Sequence, residues 1–222
     1  MADKHEQQVQ RLQAERVIEG LRRNNMQGYF VETAAEVPAR VAELLHDGDT
    51  VAVGGSMTLE RTGVLDLLRS GRYRFLDRYA PGLTGDEVRR IFVESFAADA
   101  YISSVNAVTL AGELYNVDGN GNRVAAICYG PRSVILVAGV NKIVRDIDEA
   151  AARVKRIAAP ANAVRLHKDT PCAHTGSCAG LHGDMPAGCR SADRICCHHV
   201  VSAYQREKDR IKVLLVGEPL GY

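Results

Sequence analysis

Five of the six cysteines in this chain lie within one segment, residues 170–199. The segment reads PCAHTGSC at residues 171–178 and CRSADRICCHH at residues 189–199. Four thiolates can bind a tetrahedral zinc ion or an iron–sulfur cluster, because both centres favour soft sulfur ligands. We therefore predict a metal centre whose ligands are Cys172, Cys178, Cys189 and Cys196.

The spacing of these four cysteines favours an iron–sulfur cluster over zinc. Structural zinc sites present tight CxxC knuckles, and the sequence has none. Wide spacing suits a cluster, whose larger core accepts ligands from separate loop positions. Zinc stays the alternative, and a disulfide or free thiols are further readings. Cys197 is treated as a spare thiol, and the alternative ligands are His174, His182, His198 and His199.

A second group of polar residues could bind a small anion. Gly54, Gly55 and Ser56 lie between an apolar stretch and a predicted helix, where free N–H groups could receive a phosphate or carboxylate. Asn141 and Lys142 directly follow the apolar stretch SVILVAGV. Because ligands of open parallel sheets bind beyond the carboxyl ends of the strands, we expect Lys142 to meet an anion. The remaining predicted ligand-binding residues are Asn106, Asn116, Asp118, Asn122 and Arg123.

The alternation of strand and helix patterns along the chain predicts the elements that position these residues. We predict an N-terminal amphipathic helix over residues 1–30. The later strand and helix patterns alternate as in an α/β domain with a largely parallel sheet. From Asp99 to Gly139 we predict short strands joined by turns, an inserted antiparallel hairpin, and no helix. Cys128 is expected to be buried in an apolar strand. The whole chain, residues 1–222, is predicted to form one domain with an irregular cysteine-rich segment.

Composition excludes several classes of function. The formal net charge is +1, so the chain lacks the basic excess of a nucleic-acid-binding protein. No apolar stretch is long enough to span a membrane, and the polar N-terminus does not resemble a secretory signal. We therefore expect a cytoplasmic protein, in which thiols stay reduced and clustered cysteines serve as metal ligands.

Several long stretches are similar to the LUD-domain family, which is named for lactate utilisation. The similarity is densest in SSVNAVTLAGELYNVDGNGNRVAAICYGP, VAGVNKIVRDIDEAAARVKRIAAPANAVRL, TPCAHTGSC, RIC and VGEPLGY. The resemblance implies a NagB/RpiA/CoA-transferase-like fold, with a Rossmann-like sheet. In similar stand-alone members the cysteines follow a compact TPC-TGKC-DC-RIC arrangement. Here AGLHGDMPAG lengthens the gap after Cys178, which leaves the third ligand open between Cys189 and a histidine.

The resemblance and the cysteines together suggest a redox component of organic-acid (lactate-type) metabolism. It would bind a small anionic substrate, a carboxylate or phosphate, beside an iron–sulfur centre and exchange electrons with a partner protein. One alternative is a non-redox isomerase, transferase or hydrolase that acts on a phosphorylated sugar or CoA-like ester and holds structural zinc. The other is a non-catalytic regulatory or assembly subunit. The sequence leaves homo-oligomer formation open.

Overall fold

The computed structural model describes residues 3–222, which form ten strands and nine α-helices. The strands are β1 (Gln27–Val31), β2 (Thr50–Val53), β3 (Arg74–Leu76), β4 (Ala100–Ser104), β5 (Ala107–Thr109), β6 (Leu114–Asp118), β7 (Ser133–Gly139), β8 (Ile143–Val144), β9 (His198–Ser202) and β10 (Ile211–Val216). The helices are α1 (Lys4–Arg23), α2 (Val37–Ala42), α3 (Met57–Arg61), α4 (Val64–Leu68), α5 (Gly85–Glu94), α6 (Asn122–Cys128), α7 (Ile147–Arg153), α8 (Ala159–Arg165) and α9 (Pro171–Thr175). Short 3-10 turns cover Ala34–Glu36, Ser95–Ala97 and Val140–Lys142.

The main sheet has six parallel strands in the order β1-β10-β7-β4-β2-β3. Its central strands are apolar on both faces, because helices cover the sheet on each side. Leu136 and Val213 belong to the core on the side of α1, whereas Ile135 and Leu214 belong to the core on the side of α2. The predicted α/β fold with a parallel sheet is confirmed.

A smaller sheet, in the order β8-β5-β6-β9, lies beside the first. Strands β5 and β6 form the predicted antiparallel hairpin, and β9 pairs antiparallel with β6. Strand β9 begins at His198, so the end of the cysteine-rich segment is tied to this sheet. Helix α7 packs on the same sheet through a third core cluster, which includes Ala150 and Val154.

The N-terminal helix is shorter than the prediction of residues 1–30. Residues 1 and 2 lie outside the described residues, and α1 begins with a capping box between Asp3 and Glu6. The helix ends at Arg23, and Asn25 has a φ of 64°, which reverses the chain. Asparagine tolerates this left-handed conformation better than most residues. Residues 27–31 then form β1, an edge strand that the prediction missed.

The prediction that residues 99–139 contain no helix is wrong, because α6 covers Asn122–Cys128. Gly121 caps this helix with a φ of 84°, and the Asp118 carboxylate accepts hydrogen bonds from the backbone N–H groups of Arg123 and Val124. The turn residues therefore start a helix instead of a strand. Cys128, expected to be buried in a strand, lies exposed at the end of this helix.

Helices α7 and α8 are parts of one continuous helical segment. A π-helical turn, Val154–Ala158, joins them and inserts extra backbone between two regular α-helical stretches. Asp146 caps the segment by accepting a hydrogen bond from the Glu149 N–H. No helix among residues 3–222 has the length and apolar character needed to cross a membrane.

Candidate functional site

A cavity of about 420 Å³ lies at the carboxyl edge of the parallel sheet. Residues that follow β2, β4, β7 and β10 all reach it, as expected for an open parallel sheet. The smaller sheet, the α7–α8 segment and the cysteine-rich segment supply the other walls. A volume of this size suits a small metabolite.

The cavity brings together many of the predicted site residues. Its walls include Gly55, Ser56, Asn106, Asp118, Asn122, Arg123, Lys142 and Cys196. Three predicted ligand-binding residues, Gly54, Asn116 and Asn141, lie next to this lining instead of in it. The roles of all these residues in ligand binding stay predictions.

Lys142 is the most deeply buried cation of the cavity, with 3% of its surface exposed. Its Nζ atom lies 3.1 Å from Thr58 Oγ1 and 2.9 Å from Ser104 Oγ. Burial lowers the pKa of Lys142 to about 7, and the nearby charges of Arg153 and Arg123 act in the same direction. At neutral pH this side chain is therefore divided between its ammonium and amine forms.

Arg123 is also largely buried, with 12% of its side chain exposed, and both terminal nitrogens of its guanidinium already donate hydrogen bonds. Its guanidinium donates to the carbonyl oxygens of Ser104 and Val117 and to the side-chain oxygens of Asn106 and Asn116, at 2.7–2.9 Å. Burial lowers its pKa, although the nearby Asp118 carboxylate opposes that shift. Arg123 therefore joins the two sheets beneath the cavity and adds positive charge to it.

Gly54 and Ser56 shape the turn after β2. A Cβ atom on Gly54 would lie 2.4 Å from Ser103 Oγ and 3.0 Å from Arg123 Cγ, so only glycine fits. The Gly54 N–H extends the sheet by donating to the Ile102 carbonyl. The Ser56 hydroxyl accepts from the Leu59 N–H and thereby caps α3. Since α3 has only five residues, its dipole is weak, and an anion at this turn would be attracted mainly by the local backbone N–H groups.

Asn141 and Asn116 support the cavity from behind. The Asn141 side chain accepts from the Leu220 N–H at 3.0 Å and donates to the Gly221 carbonyl at 3.3 Å. It thereby holds Gly221 and Tyr222 against the cavity. Asn116 is fully buried and holds the Arg123 guanidinium with its oxygen, while its nitrogen has no partner among residues 3–222.

The charges that line the cavity are mainly positive. Five cations contribute to its walls, whereas Asp118 is the single carboxylate side chain among the described lining residues. Asp118 is already paired, because it accepts two backbone N–H groups of α6 and lies 3.9 Å from Arg123 Nε. The cavity is therefore suited to an anion. The cations are Arg78, Arg123, Lys142, Arg165 and Lys168.

The cysteines are arranged less closely than the prediction requires. Within residues 3–222, no three histidine, cysteine or acidic side chains stand together as a metal site would need. Burial raises the pKa of the Cys196 thiol, Arg194 opposes this shift, and the charges of Cys178 and Cys189 add to it. Cys178 and Cys189 are therefore near enough to influence the ionisation of Cys196, and the role of all three as metal ligands stays a prediction. Cys172 lies on α9, with its Sγ atom 3.4 Å from Thr170 Oγ1.

The alternative histidine ligands are dispersed. His174 Nε2 pairs with Asp169 at 2.8 Å, and His198 lies against Gly121. His199 Nδ1 forms a hydrogen bond of 2.7 Å with the Tyr115 hydroxyl, while its buried Nε2 has no partner in the described part of the chain. His182 lies in the exposed stretch between Cys178 and Cys189.

Several residues that the sequence did not single out contribute to the site. Thr58 and Ser104 hold the Lys142 amine, and Arg78, Arg165 and Lys168 provide positive charge. Ser104 could have been predicted from the sequence, because it is the last residue of a buried strand. The same kind of position, just after a buried strand, indicated Lys142. Thr58, Arg78 and Arg165 come from separate elements, and nothing in their local sequence indicates a common site.

The fold and the cavity define an α/β protein with a mainly positively charged cavity at the carboxyl edge of a parallel sheet. A family model described as the LUD domain matches residues 14–216. The chain therefore belongs to the LUD-domain family, and the resemblance seen in the sequence is confirmed. No curated protein matches the sequence significantly.

Among solved structures, the chain is similar to a DUF162 family protein from Deinococcus radiodurans. The two are 17% identical, with a TM-score of 0.50 over 95% of this chain and 98% of that one. At this identity the likeness shows the fold alone. A partial match to eIF2B beta from Chaetomium thermophilum has 22% identity and a TM-score of 0.36 over 52% of this chain and 44% of that one. A partial match to ribose 5-phosphate isomerase from Plasmodium falciparum has 13% identity and a TM-score of 0.31 over 50% of this chain and 53% of that one.

Proposed function

We propose that this LUD-domain protein binds a small organic anion, a carboxylate or a phosphate ester, in the cavity and acts on it through Lys142. The observation that carries the proposal is a lysine 3% exposed that makes no ion pair with a carboxylate within residues 3–222. A buried cation without a counterion is costly. An anionic ligand in the cavity would supply the missing charge.

The other cavity walls support the same class of ligand. Arg78 and Arg165 add positive charge, and the volume of about 420 Å³ suits a metabolite better than a polymer. The family name refers to lactate utilisation, so organic acids are the first ligands to test. Phosphorylated sugars and CoA-like esters belong to the same anionic class and represent the non-redox alternative.

Calorimetric titration tests the proposal, with L-lactate and inorganic phosphate as probes. We expect binding to the wild-type protein and at least about tenfold weaker binding to Arg78→Ala, because a charge-assisted hydrogen bond contributes about 1.5–3 kcal/mol. Arg72→Ala is the matched control, since Arg72 pairs with Asp47 on the surface and lies outside the cavity. Equal binding by all three proteins, or none by the wild type, would contradict the proposal.

A second candidate adds redox chemistry to the same site. Cys196 lines the cavity, and the charges of Cys178 and Cys189 influence its thiol. An iron–sulfur cluster held by these cysteines and Cys172 would border the bound anion and exchange its electrons with a partner protein. The described arrangement does not gather these thiols, so this cofactor requires the segment to rearrange on binding it.

Metal analysis decides between the cofactor readings. Protein purified without oxygen and then reconstituted should contain iron and acid-labile sulfide if the redox candidate is correct. Zinc without iron would favour the non-redox enzyme with a structural metal. A protein that takes up neither metal would exclude both centres, while the anion-binding proposal would stand or fall by the titration alone.

A further inference from the structure

Lys142 and Lys155 are both buried, but their side chains have different hydrogen-bond partners. Lys155 is 6% exposed, and its Nζ atom donates to the carbonyl oxygens of Gly183 and Asp184 at 2.8 and 2.6 Å. Carbonyl oxygens only accept hydrogen bonds, so both contacts depend on Lys155 as the donor. Lys155 therefore serves as an anchor for the cysteine-rich segment.

Lys142 instead contacts two hydroxyl groups. A hydroxyl can either donate or accept, so Thr58 and Ser104 satisfy an ammonium and a neutral amine equally well. The two hydroxyls also lie 3.3 Å from each other, and the Leu220 carbonyl is a further acceptor for Thr58 at 3.4 Å. The hydroxyl protons can therefore reorient when Lys142 gains or loses its own proton.

The charged groups around Lys142 also favour the neutral amine. Arg153 on the α7 side and Arg123 on the α6 side are both cations, and no carboxylate within the described residues lies at ion-pair distance. Together with burial they bring the lysine pKa to about 7. A lysine with an ordinary pKa near 10.4 is neutral in roughly one molecule in 2,500 at pH 7. A neutral amine is the form that attacks a carbonyl group.

We propose that Lys142 is a nucleophile that forms an imine with the aldehyde or ketone group of the anion bound in the cavity. The inference rests on the proposed function and narrows its substrate class to carbonyl-bearing organic anions, such as oxo acids and phosphorylated aldehydes. The cavity cations would hold the anionic group, and the amine would meet the carbonyl carbon.

The chemical step is balanced without an external oxidant or reductant. The Nζ lone pair forms a bond to the carbonyl carbon, and the π electrons of the C=O bond move to oxygen. The nitrogen then forms the second C–N bond with its remaining electron pair as the C–O bond breaks. Of the two amine protons and one proton taken up from the buffer, two leave with the oxygen as water and one remains on the C=N nitrogen. The product is a protonated imine, which withdraws electrons from the neighbouring carbon and activates its bonds.

Reductive trapping tests the inference. Pyruvate supplies a carboxylate and glycolaldehyde phosphate supplies a phosphate, each next to a carbonyl, and cyanoborohydride reduces any imine to a stable amine. Peptide mass spectrometry then locates the adduct. We expect Lys142 to be modified at pH 7 at least about tenfold faster than the other lysines, because a larger share of its amine is neutral. Which probe is trapped faster shows whether the site prefers carboxylate or phosphate.

Two variants serve as matched controls. Lys142→Arg keeps the positive charge but cannot form an imine, so the adduct should disappear. Lys212 is a half-buried lysine on β10 that donates to Ser133 and Asp209, outside the cavity. Burial lowers its pKa as well, so Lys212→Arg should leave the trapped adduct unchanged. Circular dichroism of each variant verifies that it is folded.

The outcomes separate this inference from the proposed function. Calorimetric binding of pyruvate together with a Lys142 adduct that excess L-lactate suppresses supports both. Binding of pyruvate without a Lys142 adduct overturns the imine and leaves the anion site. Modification spread over lysines according to their exposure also overturns the imine. Absence of both binding and adduct overturns both.

Discussion

The cavity and the cysteine-rich segment both gather polar residues from distant positions, but they hold them differently. In the cavity, several side chains follow the ends of strands, and buried side-chain hydrogen bonds such as those of Arg123 join the two sheets. In the segment, cations hold the backbone: Arg194 donates to the carbonyls of Cys196, Cys189 and Pro186 at 2.8–3.1 Å, and Lys155 holds two more.

The two regions therefore differ in what holds them in place. The cavity orders its side chains through side-chain hydrogen bonds, whereas the segment is held mainly through its backbone, and its cysteines form no disulfide. We therefore predict that the thiols contribute little to the shape of the metal-free segment, although Cys178 and Cys197 each form one hydrogen bond.

Arg123→Ala should lower the free energy of unfolding by about 3–5 kcal/mol, because it removes a buried cation and leaves several buried acceptors without donors. Chemical denaturation measures the change. Arg206→Ala, at an exposed position, is the control and should change stability by less than about 0.5 kcal/mol. A loss below about 1 kcal/mol in Arg123→Ala would mean that the two sheets are not joined through this residue.

Lys142→Met should raise the free energy of unfolding by about 2–4 kcal/mol at pH 7 and below, because the folded protein no longer has to bury an ammonium. In the wild type the unfolded chain binds the lysine proton more tightly than the folded chain. Stability should therefore rise with pH between about 7, the folded pKa, and about 10.4, the unfolded pKa.

The advantage of Lys142→Met over the wild type should shrink across that window and vanish above it. Denaturation curves at several pH values, without added anion, measure this trend. A constant difference between the two proteins from pH 6 to pH 10 would show that Lys142 keeps an ordinary pKa. Lys212→Met provides a comparison for a half-buried lysine outside the cavity.

Arg194→Ala should loosen the cysteine-rich segment by about 1–3 kcal/mol, since three carbonyl oxygens lose a charged donor. Hydrogen exchange should quicken at residues 186–197 and stay unchanged in β7 and β10. Arg190→Ala is the control, because Arg190 is exposed and makes no hydrogen bond among the described residues. Faster exchange across the whole chain would contradict a local role.

The combined change Cys178→Ser, Cys189→Ser and Cys196→Ser should have the smallest effect, below about 1 kcal/mol in metal-free protein, because none of the three thiols is fully buried. Thermal denaturation with and without reconstituted iron measures it. A loss of several kcal/mol that appears only after reconstitution would establish the cysteines as ligands. The same loss in metal-free protein would mean that the thiols shape the segment.

The sequence predicts those parts of the fold and site that depend on regular patterns. Strand and helix alternation predicts the parallel sheet, and Lys142 was selected because it follows the apolar stretch SVILVAGV. Helix α6 was missed because its seven residues are too few to show a helical period, and its glycine-rich start resembles a hairpin turn. Strand β1 was missed because the helical pattern runs on past Arg23, where Asn25 reverses the chain.

The contacts between elements could not be predicted in the same way. Thr58 lies within a helix and Arg78 follows a strand at the sheet edge, and only tertiary packing brings them to the cavity. The cysteine spacing indicated a ligand set, but spacing contains no information about how Arg194 and Lys155 fold the intervening backbone. The sequence therefore indicated which side chains could bind a ligand more readily than how these side chains are arranged in space.

The π-helical turn at Val154–Ala158 sets the phase of the helix that borders the cavity. Each residue of an α-helix advances the side chains by about 100°. Deleting one residue from this turn would restore a regular helix and rotate everything after it by that angle, so Asn162 and Arg165 would leave the cavity wall. Relatives with different substrates could exchange one set of wall residues for another through such an insertion or deletion, with the sheet untouched.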